Sequence, residues 1–537
     1  MAEFRIIPIL GRKTAVPADD LSLFKMVGEG VALTHDTGGL NFDLVRKKNA
    51  CSKSYGYSQW SNTANAQATK CLGLFELYDG TNRDYCFWDN GKFYVFDGGL
   101  DPGDKTAAAV THGTNNADLV CAIRVGSYVV FTDAGKATTP YKWKNADANA
   151  SKLIASGTEY MFKFIESFQR RVIGFFSDQT DGNIDLRYST SWPGTAIISL
   201  NFPATNQIYI PNDDPGTGLK AMGKDRCFVY SENSIHALDY YADYTAPFRL
   251  RNIVDGQGAV NNAGIVNLGD RHYLYNKNYG FCEFRGSEFP HGGRPISEAI
   301  EPDLQAINVE YLNLIVGTFH SLRREVCWTV PSGGGSTPDA LFFYNIDTGQ
   351  WRKENKTMRF VHEWDAYTTF TWNDLIAALG GTGAVWSTAG PNTWAYYTAM
   401  RRRLVYANTD GHLYQHDSDG IAGANLDGYR IEPIMDFGDK KRHKFLTEIW
   451  FDIGYSGAFS IDVSYRGGHT AGEVIAAGWT SIGSVSCNSS SRPVLNCPSD
   501  VNTDNRLHQI KWGTNLIDEP FQVNGITFVF TPGMGTA

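Results

Sequence analysis

Short runs of aromatic and β-branched residues, separated by polar turns, recur along most of this chain. From Lys224 to Tyr241 a charged turn, a run of strand-forming residues, a polar turn and a second run follow one another. The stretch from Gly269 to Gly286 repeats this order about 45 residues later. Each stretch predicts a β-hairpin. Self-similarity at this spacing is typical of four-stranded sheets arranged as the blades of a β-propeller.

Further units of this kind extend over most of the chain. Runs joined by an Asp79-Gly80 turn and an Asn90-Gly91 turn predict a three-stranded meander. Other units fall at residues 119–143, 162–188, 324–351 and 368–417. Their spacing is uneven and no regular blade signature is present, so the pattern predicts a degenerate propeller of five to seven blades.

The two ends of the chain read differently from this central part. Pro8 and Pro17 discourage a helix near the start, which favours an extended arm followed by short strands. After Asp427 the alternating runs are longer and more widely spaced. Among them, residues 449–453 and 459–465 predict a hairpin. The sequence therefore predicts an all-β protein with an N-terminal arm (1–50), a β-propeller (51–426) and a C-terminal β-sandwich (427–537).

Composition narrows the classes of function. The chain has 537 residues, 13% of them aromatic and 55 of them glycine, which suits strands and tight turns. Its formal net charge of -9 argues against a protein that holds nucleic acid through phosphate contacts. The same charge is compatible with a wall along which DNA slides, because acidic surfaces repel phosphate.

Cysteine usage and the absence of long apolar runs bear on the compartment. Nine cysteines are scattered without a CxxC pair, which favours reduced, mostly buried thiols. Only Cys487 and Cys497 are close enough in sequence to suggest a disulfide, and the sequence leaves both outcomes open. The apolar run Ile6–Leu10 is too short for a signal peptide, and no run approaches ~18 apolar residues, so we expect no membrane span.

The candidate motifs for chemistry are weak. The acidic turns at residues 178–185 and 417–420 lack the spacing of a calcium loop and are better explained as hairpin turns. With 57 acidic residues, any carboxylate pair chosen for glycoside hydrolysis is uninformative. No HExxH, GxSxG or P-loop motif occurs. We therefore expect no catalytic residues, no metal and no cofactor.

Two basic clusters precede predicted strands, at Arg401–Arg403 and at residues 440–444. The simpler interpretation is that charge at a strand start keeps a sheet edge soluble. The functional interpretation is a contact with an acidic partner protein.

Several segments resemble those of the packaged-DNA stabilisation, or tail nozzle, proteins of short-tailed bacteriophages. The stretch 218–240 contains a Ser-Glu-Asn-Ser-Ile turn, formed by Ser231, Glu232, Asn233, Ser234 and Ile235. The hairpin at 267–286, the segment Ile296–Ile300, the turn in YNIDTGQW and an Asp-Phe-Gly-Asp turn follow in the expected order. That last turn consists of Asp436, Phe437, Gly438 and Asp439. The N-terminal GGLNFDLVRKK is similar too, but lacks the glycine usual after its arginine.

The resemblance implies a non-catalytic propeller subunit of the virion tail, assembled in the host cytoplasm. Six copies would form a ring below the portal and adaptor, extend the DNA channel without sequence-specific binding, and retain the packaged genome until ejection. We expect docking to tail partners through the segment 4–16, the Gly-rich insertion 332–338 and the basic cluster. The side chains selected are Phe4, Arg5, Ile6, Ile7, Lys440, Lys441, Arg442 and Lys444.

An alternative is a receptor- or carbohydrate-binding propeller of the tail. In that case loop tryptophans such as Trp192, Trp386 and Trp394 would stack on sugars, whereas the simpler interpretation has them cap the blade cores. A glycoside hydrolase is the less favoured third class.

Overall fold

In the computed structural model the chain is nearly all β, with 55% strand and 7% helix, which confirms the predicted all-β class. The described residues include two short α-helices, α1 (Glu301–Gln305) and α2 (Ala471–Ala476). Single 3-10 turns lie at Leu21–Leu23, Gly182–Ile184, Pro211–Asp213, Glu298–Ile300 and Val309–Leu314. In the part of the chain that the structure describes, no helix is long and apolar enough to cross a membrane.

The structure describes residues 2–28, 30–44, 50–54, 57–59, 71–80, 83–97, 102–107, 112–133, 139–154, 158–177, 182–192, 200–241, 246–287, 295–366, 401–408, 412–416, 427–439, 441–454, 460–488, 492–498, 505–515 and 521–535.

The first six strands do not form a sheet of their own. They are β1 (Ala2–Ile7), β2 (Phe24–Gly28), β3 (Val31–Thr34), β4 (Phe42–Asp43), β5 (Cys51–Lys53) and β6 (Tyr57–Gln59). The first five join a sheet that the C-terminal strands complete, and β6 joins a sheet formed by residues 360–416. The segment predicted as an N-terminal arm with the first strands, residues 1–50, thus contributes strands whose backbone pairs with the C-terminal part of the chain.

Between residues 71 and 416, the described residues form seven small antiparallel sheets. The first sheet contains β7 (Cys71–Tyr78), β8 (Arg83–Asp89), β9 (Lys92–Asp97) and β10 (Gly103–Asp104), and the second contains β11 (Val120–Val125), β12 (Tyr128–Asp133), β13 (Tyr141–Trp143) and β14 (Ser151–Lys152). The third contains β15 (Phe162–Phe168), β16 (Arg171–Ser177), β17 (Asp185–Tyr188) and β18 (Gln207–Tyr209), the fourth contains β19 (Gly216–Met222), β20 (Arg226–Ser231), β21 (Ser234–Tyr240) and β22 (Phe248–Asp255), and the fifth contains β23 (Val266–Asn267), β24 (His272–Asn276) and β25 (Gly280–Phe284). The sixth contains β26 (Val316–His320), β27 (Glu325–Val330), β28 (Ala340–Asn345) and β29 (Trp351–Asn355), and the seventh contains β30 (Phe360–Ala366), β31 (Arg401–Ala407) and β32 (Leu413–His416) together with β6.

The seven sheets follow one another in a closed order, called here the sheet cycle. The first strand of each sheet contacts the first strand of the next, from β7 through β11, β15, β19, β23 and β26 to β30. β30 contacts β7 in turn. β6 pairs with β32 as the outer strand of the seventh sheet.

Buried aromatic side chains fill the spaces between neighbouring sheets. Trp88 and Phe93 of the first sheet pack against Phe131 of the second, with ring centroids 5.0 and 4.8 Å apart. Phe281 of the fifth sheet packs against Trp328 of the sixth at 4.4 Å. Burial of one such side chain contributes about 1.5–3 kcal/mol. The apolar positions of the predicted hairpins therefore bind each sheet to its neighbours.

The C-terminal strands form two sheets, called here the two-sheet unit. They are β33 (Gly428–Ile431), β34 (Arg442–Ile453), β35 (Ser460–Gly468), β36 (Thr480–Ser486), β37 (Val494–Asn496), β38 (Leu507–Thr514) and β39 (Gln522–Gly535). One sheet has the order β2-β3-β1-β39-β34-β37, with β4 and β5 attached, and the other has the order β33-β38-β35-β36. Ile6, Phe451 and Trp512 belong to one buried core that both sheets share.

One predicted hairpin of this region is wrong. Residues 449–453 lie in β34, which pairs with β37 and β39. Residues 460–465 lie in β35, which pairs with β36 and β38 in the other sheet. The chain crosses from one sheet to the other between them, because the apolar faces of both strands point into the shared core.

A connecting segment, residues 8–44, fastens the sheet cycle to the two-sheet unit. The guanidinium of Arg12 donates to both carboxylate oxygens of Asp303 at 2.8 Å and to Asp36 at 3.4 Å. Its backbone N–H donates to the carbonyl of Trp351 at 2.7 Å. Asp43, at the end of β4, forms an ion pair with Arg323 of the sheet cycle. Buried pairs with several hydrogen bonds are costly to break, so these contacts hold the two parts together.

Candidate functional site

A cavity of about 440 Å³, called here the axial cavity, lies inside the sheet cycle. Its walls come from the first strands of several sheets, including Glu76 on β7, Lys220 on β19, Thr318 on β26 and His362 on β30. Alternate side chains of a strand point to the same face, so the alternation that builds the hairpins also brings these groups together inside the cycle.

Residues 261–264, called here the axial segment, cross the inside of the cycle. The side chain of Asn262 accepts a hydrogen bond from Leu219 N–H at 3.0 Å and donates to Cys121 Sγ at 3.2 Å. The Ala263 carbonyl accepts from Gly317 N–H at 2.8 Å. These partners belong to β19, β11 and β26, so the segment is fixed to the second, fourth and sixth sheets at once.

A second cavity of about 400 Å³ lies on the other side of the axial segment, lined by Asp118, Lys163, Thr217 and Glu232 among others. Both cavities share Asn262 and its neighbours as lining. The axial segment thus divides the inside of the cycle into two separate spaces.

The carboxylates of the axial cavity accept hydrogen bonds from other side chains of the protein. Glu76 accepts from Arg83 at 2.6 Å. Glu363 accepts from the hydroxyl of Ser321 at 2.9 Å and from Arg402 at 3.2 Å. These bonds fix the acidic side chains against the wall of the cavity.

Burial shifts the protonation of several cavity groups. Desolvation lowers the pKa of His362 to about 4, helped by the positive charges of Lys220 and Arg402. Desolvation also raises the pKa of Glu166 and that of Glu363, against the opposing effects of Lys220 and of Ser321 respectively. His362 is therefore neutral at pH 7. Among the residues described, no group of three or more His, Cys, Asp or Glu side chains could hold a metal ion.

The Ser-Glu-Asn-Ser-Ile turn connects β20 to β21. Ser231 and Ile235 are fully buried, whereas Glu232 and Asn233 are exposed. The carboxylate of Asp214 accepts from Asn233 N–H at 3.1 Å and from Ser234 Oγ at 2.6 Å. The turn is thus a structural element capped by Asp214. Sequence reasoning missed this cap, because it lies 20 residues away and carries no local signal.

The Asp-Phe-Gly-Asp turn lies in the two-sheet unit. Asp436 accepts from Gly438 N–H at 2.9 Å, and the φ of +85° at Gly438 is one that favours glycine. Phe437 is buried, stacking on Phe530 at 4.7 Å and meeting Phe4 edge-on at 5.8 Å. Two segments selected separately from the sequence, the first strand and this turn, are therefore in contact.

The other three N-terminal docking candidates have different environments. Ile6 is fully buried in the shared core. Ile7 is half-buried, and Arg5 is part-buried with an ion pair to Asp452 at 2.8 Å. Ile6 is therefore corrected as a docking group, because its side chain is fully buried, whereas the half-buried Phe4 stays a prediction.

The residues of the basic cluster at 440–444 also differ in their environments. Lys440 lies outside the described residues. Lys441 is exposed, and Arg442 is exposed beside Asp439 at 3.4 Å. Lys444 is buried and donates to the backbone carbonyls of Asp439 and Arg442, while desolvation lowers its pKa. The prediction of Lys444 as a docking residue is therefore wrong, because its buried amino group caps the Asp-Phe-Gly-Asp turn from inside the protein.

The remaining candidates are placed as follows. The insertion 332–338 is a partly exposed turn, held where Gly333 N–H donates to the Ala306 carbonyl at 2.7 Å. Trp192 is buried in a core between sheets, as the simpler interpretation expected, while Trp386 and Trp394 lie outside the described residues. Residues 178–181 and 417–420 lie outside them as well. Cys487 and Cys497 are both free thiols.

No family model matches this chain, and no curated protein is similar to it. The likeness to tail nozzle proteins therefore depends on the short motifs described above.

Proposed function

We propose that this chain is a structural subunit of a bacteriophage tail. Six copies form a ring, or nozzle, below the portal and adaptor, which extends the DNA channel and retains the packaged DNA until ejection. The protein is assembled in the host cytoplasm and resides in the virion tail. It carries out no catalysis in this role and needs no cofactor.

The proposal includes a fold assignment. We interpret the sheet cycle as a seven-bladed β-propeller, within the predicted range of five to seven, with β6 closing the last blade. We interpret the two-sheet unit as a β-sandwich to which both chain ends contribute. Support comes from the contact between β30 and β7 and from the core common to both sheets.

The observation that carries the proposal is the filled axis. The axial segment is bonded to three sheets and divides the inside of the cycle into spaces of about 440 and 400 Å³. A DNA duplex, whose major groove alone is about 12 Å wide, does not fit such spaces. A channel for DNA therefore has to lie between copies of the chain, as in a ring.

The charge of the chain and the placement of its charged side chains favour the same role as a tail subunit. The net charge of -9 disfavours retention of DNA on the subunit surface, because binding through phosphates requires clustered cations. The predicted basic cluster is not one continuous patch, since Lys444 is buried. The carboxylates of the axial cavity, Glu76 and Glu363, are held by internal hydrogen bonds, which suits a structural part better than an acid–base catalyst.

The deciding measurement is the mass of the purified chain, alone and mixed with its candidate portal–adaptor complex. A species near 59.5 kDa alone, and six added copies on the complex, are the expected results. The portal without adaptor is the matched control and should bind no ring. A chain that remains monomeric with the complete complex would contradict the proposal.

Retention of DNA can be tested in particles. Particles assembled without this chain should lose packaged DNA to added nuclease, and adding back the purified chain should restore protection. Particles that keep their DNA without the chain would show that it has another role in the tail.

A further inference from the structure

The outward face of the larger C-terminal sheet carries a groove, called here the outer groove, whose walls are Glu3, Arg5, Trp450 and Asp452 and whose floor is Thr527. Its volume is about 300 Å³. Strand register accounts for it: Arg5 on β1 pairs with Thr527 on β39, which pairs with Trp450 on β34. Side chains of one register row lie on the same face, so a short central side chain leaves a trough between two long ones.

Glycine at position 525 deepens this trough next to Asp452. Asp452 pairs with Gly525 across the strands. A Cβ atom at Gly525 would lie 3.0 Å from Nε of Arg5. The absence of a side chain there lets the Arg5 guanidinium pass over β39 and bind Asp452 at 2.8 Å. The ion pair is thereby held across β39 at one end of the groove.

Trp450 presents an indole at the wall of the groove. It is 38% exposed, whereas six other tryptophans of the described chain are fully buried. Its Nε1–H donates to Glu448 at 2.7 Å, which orients the indole. An exposed aromatic ring held in one orientation loses little entropy when a ligand stacks on it.

We propose that the outer groove binds a saccharide. Sugar rings offer an apolar face of C–H groups for the indole, and hydroxyl groups that both donate and accept hydrogen bonds. The groove supplies acceptors at Glu3 and Asp452 and donors at Arg5 and Arg492. Both signs of charge are present, which disfavours polyanions and purely apolar ligands and favours a neutral sugar. The proposal does not depend on ring formation.

The test uses the intact chain on a printed array of neutral and acidic oligosaccharides, followed by titration of the best neutral ligand. Trp450→Ala should weaken binding at least tenfold. The matched control is Trp479→Ala, which removes a half-buried indole from the loop just before β36, away from the groove, and should change binding less than twofold. Gly525→Ala should also weaken binding, because its Cβ displaces the Arg5 guanidinium.

Circular dichroism and mass measurement accompany each variant. Binding that Trp450→Ala and Gly525→Ala both reduce, with mass and spectrum unchanged, supports the proposal. Binding of no neutral saccharide at millimolar concentration overturns it, as does binding that both variants leave intact. A change of oligomeric mass in Trp450→Ala without a change in sugar binding also overturns it, because the groove would then be a contact between copies.

Discussion

The axial cavity and the outer groove both collect charged side chains, yet they use them differently. In the axial cavity, acidic groups such as Glu363 are bonded to nearby donors and shielded from solvent. On the outer groove, the Arg5–Asp452 pair is partly exposed and lies beside an exposed indole. The contrast shows that charge in a cavity is no sign of function by itself. What matters is whether the polar groups and an apolar surface remain available to a ligand.

The largest expected effect comes from removing a buried charge of the sheet cycle. Arg352 donates to both oxygens of Glu325 and to Glu354, and all three are buried. Arg352→Met leaves the buried Glu325 without its hydrogen-bonding partner, while Glu354 keeps Lys356 and His416, so we expect a loss of about 3–5 kcal/mol in the free energy of unfolding. Urea denaturation measures it.

The matched control for this prediction is Arg324→Met. Arg324 pairs with Asp347 at 2.7 Å, but the two side chains are 56% and 52% exposed. Exposed pairs contribute about 0–1 kcal/mol. Equal losses for Arg324→Met and Arg352→Met would remove the distinction between buried and exposed charge on which the comparison depends.

A smaller effect is expected at the axial segment. Asn262→Ala removes the acceptor of Leu219 N–H and the donor to Cys121. A buried N–H without a partner costs about 1–3 kcal/mol. Thermal unfolding checks the loss, and hydrogen exchange of the Leu219 amide should accelerate. An amide that remains as protected as in the unmodified chain would mean that the segment is not fixed by this side chain.

The sheet cycle should also lose stability in acid through His272. Desolvation lowers its pKa to about 3, while Nε2–H donates to the Ala221 carbonyl and Nδ1 accepts from Tyr230. Below pH 6.5 the unfolded chain binds a proton that the folded chain does not, so stability falls as pH falls from 6.5 towards 3. Between pH 6.5 and pH 5 this proton uptake by the unfolded chain lowers the free energy of unfolding by about 1–2 kcal/mol.

Measurement of unfolding at pH 7 and pH 5 tests this contribution. His272→Gln should reduce the difference in free energy of unfolding between the two pH values. His469→Gln, at an exposed position, is the control and should leave that difference unchanged. If both variants behave alike, the acid sensitivity arises elsewhere.

The smallest expected effect lies at the outer groove. Arg5→Ala breaks a partly exposed ion pair, which should cost less than about 1 kcal/mol. A thermal unfolding temperature within a few degrees of the unmodified chain is the expected result. A loss as large as that of Arg352→Met would mean that the groove is part of the structural framework and not a free surface.

Local patterns in the sequence predicted the hairpins well. Residues 226–231 and 234–240 form the strands β20 and β21, as the aromatic and β-branched runs and the polar turn indicated. The Asp79-Gly80 and Asn90-Gly91 turns likewise join three strands of one sheet. In such cases strand and turn are encoded within a few neighbouring residues, so periodicity alone suffices.

Long-range pairing was not predictable in this way. β1 reads as an isolated extended segment, because its partner β39 lies more than 500 residues away. The pairing of β6 with β32 was not predictable either, because the two strands lie far apart in the sequence. Nor was the alignment of side chains across the strands that form the outer groove. The sequence singled out Arg5 but gave no reason to link it to Thr527 or Trp450, and only strand pairing places the three side chains on a common face.

The pairing of β1 with β39 also determines the order in which the parts of the protein can mature on the ribosome. Ile6 is translated more than 500 residues before its neighbours Ile526 and Phe528. The sheet cycle can close once residue 416 has emerged, while β1 still lacks its main partner. Contacts of such sequence separation form slowly. The two-sheet unit is thus expected to fold after the sheet cycle, once β39 has been translated and can pair with β1.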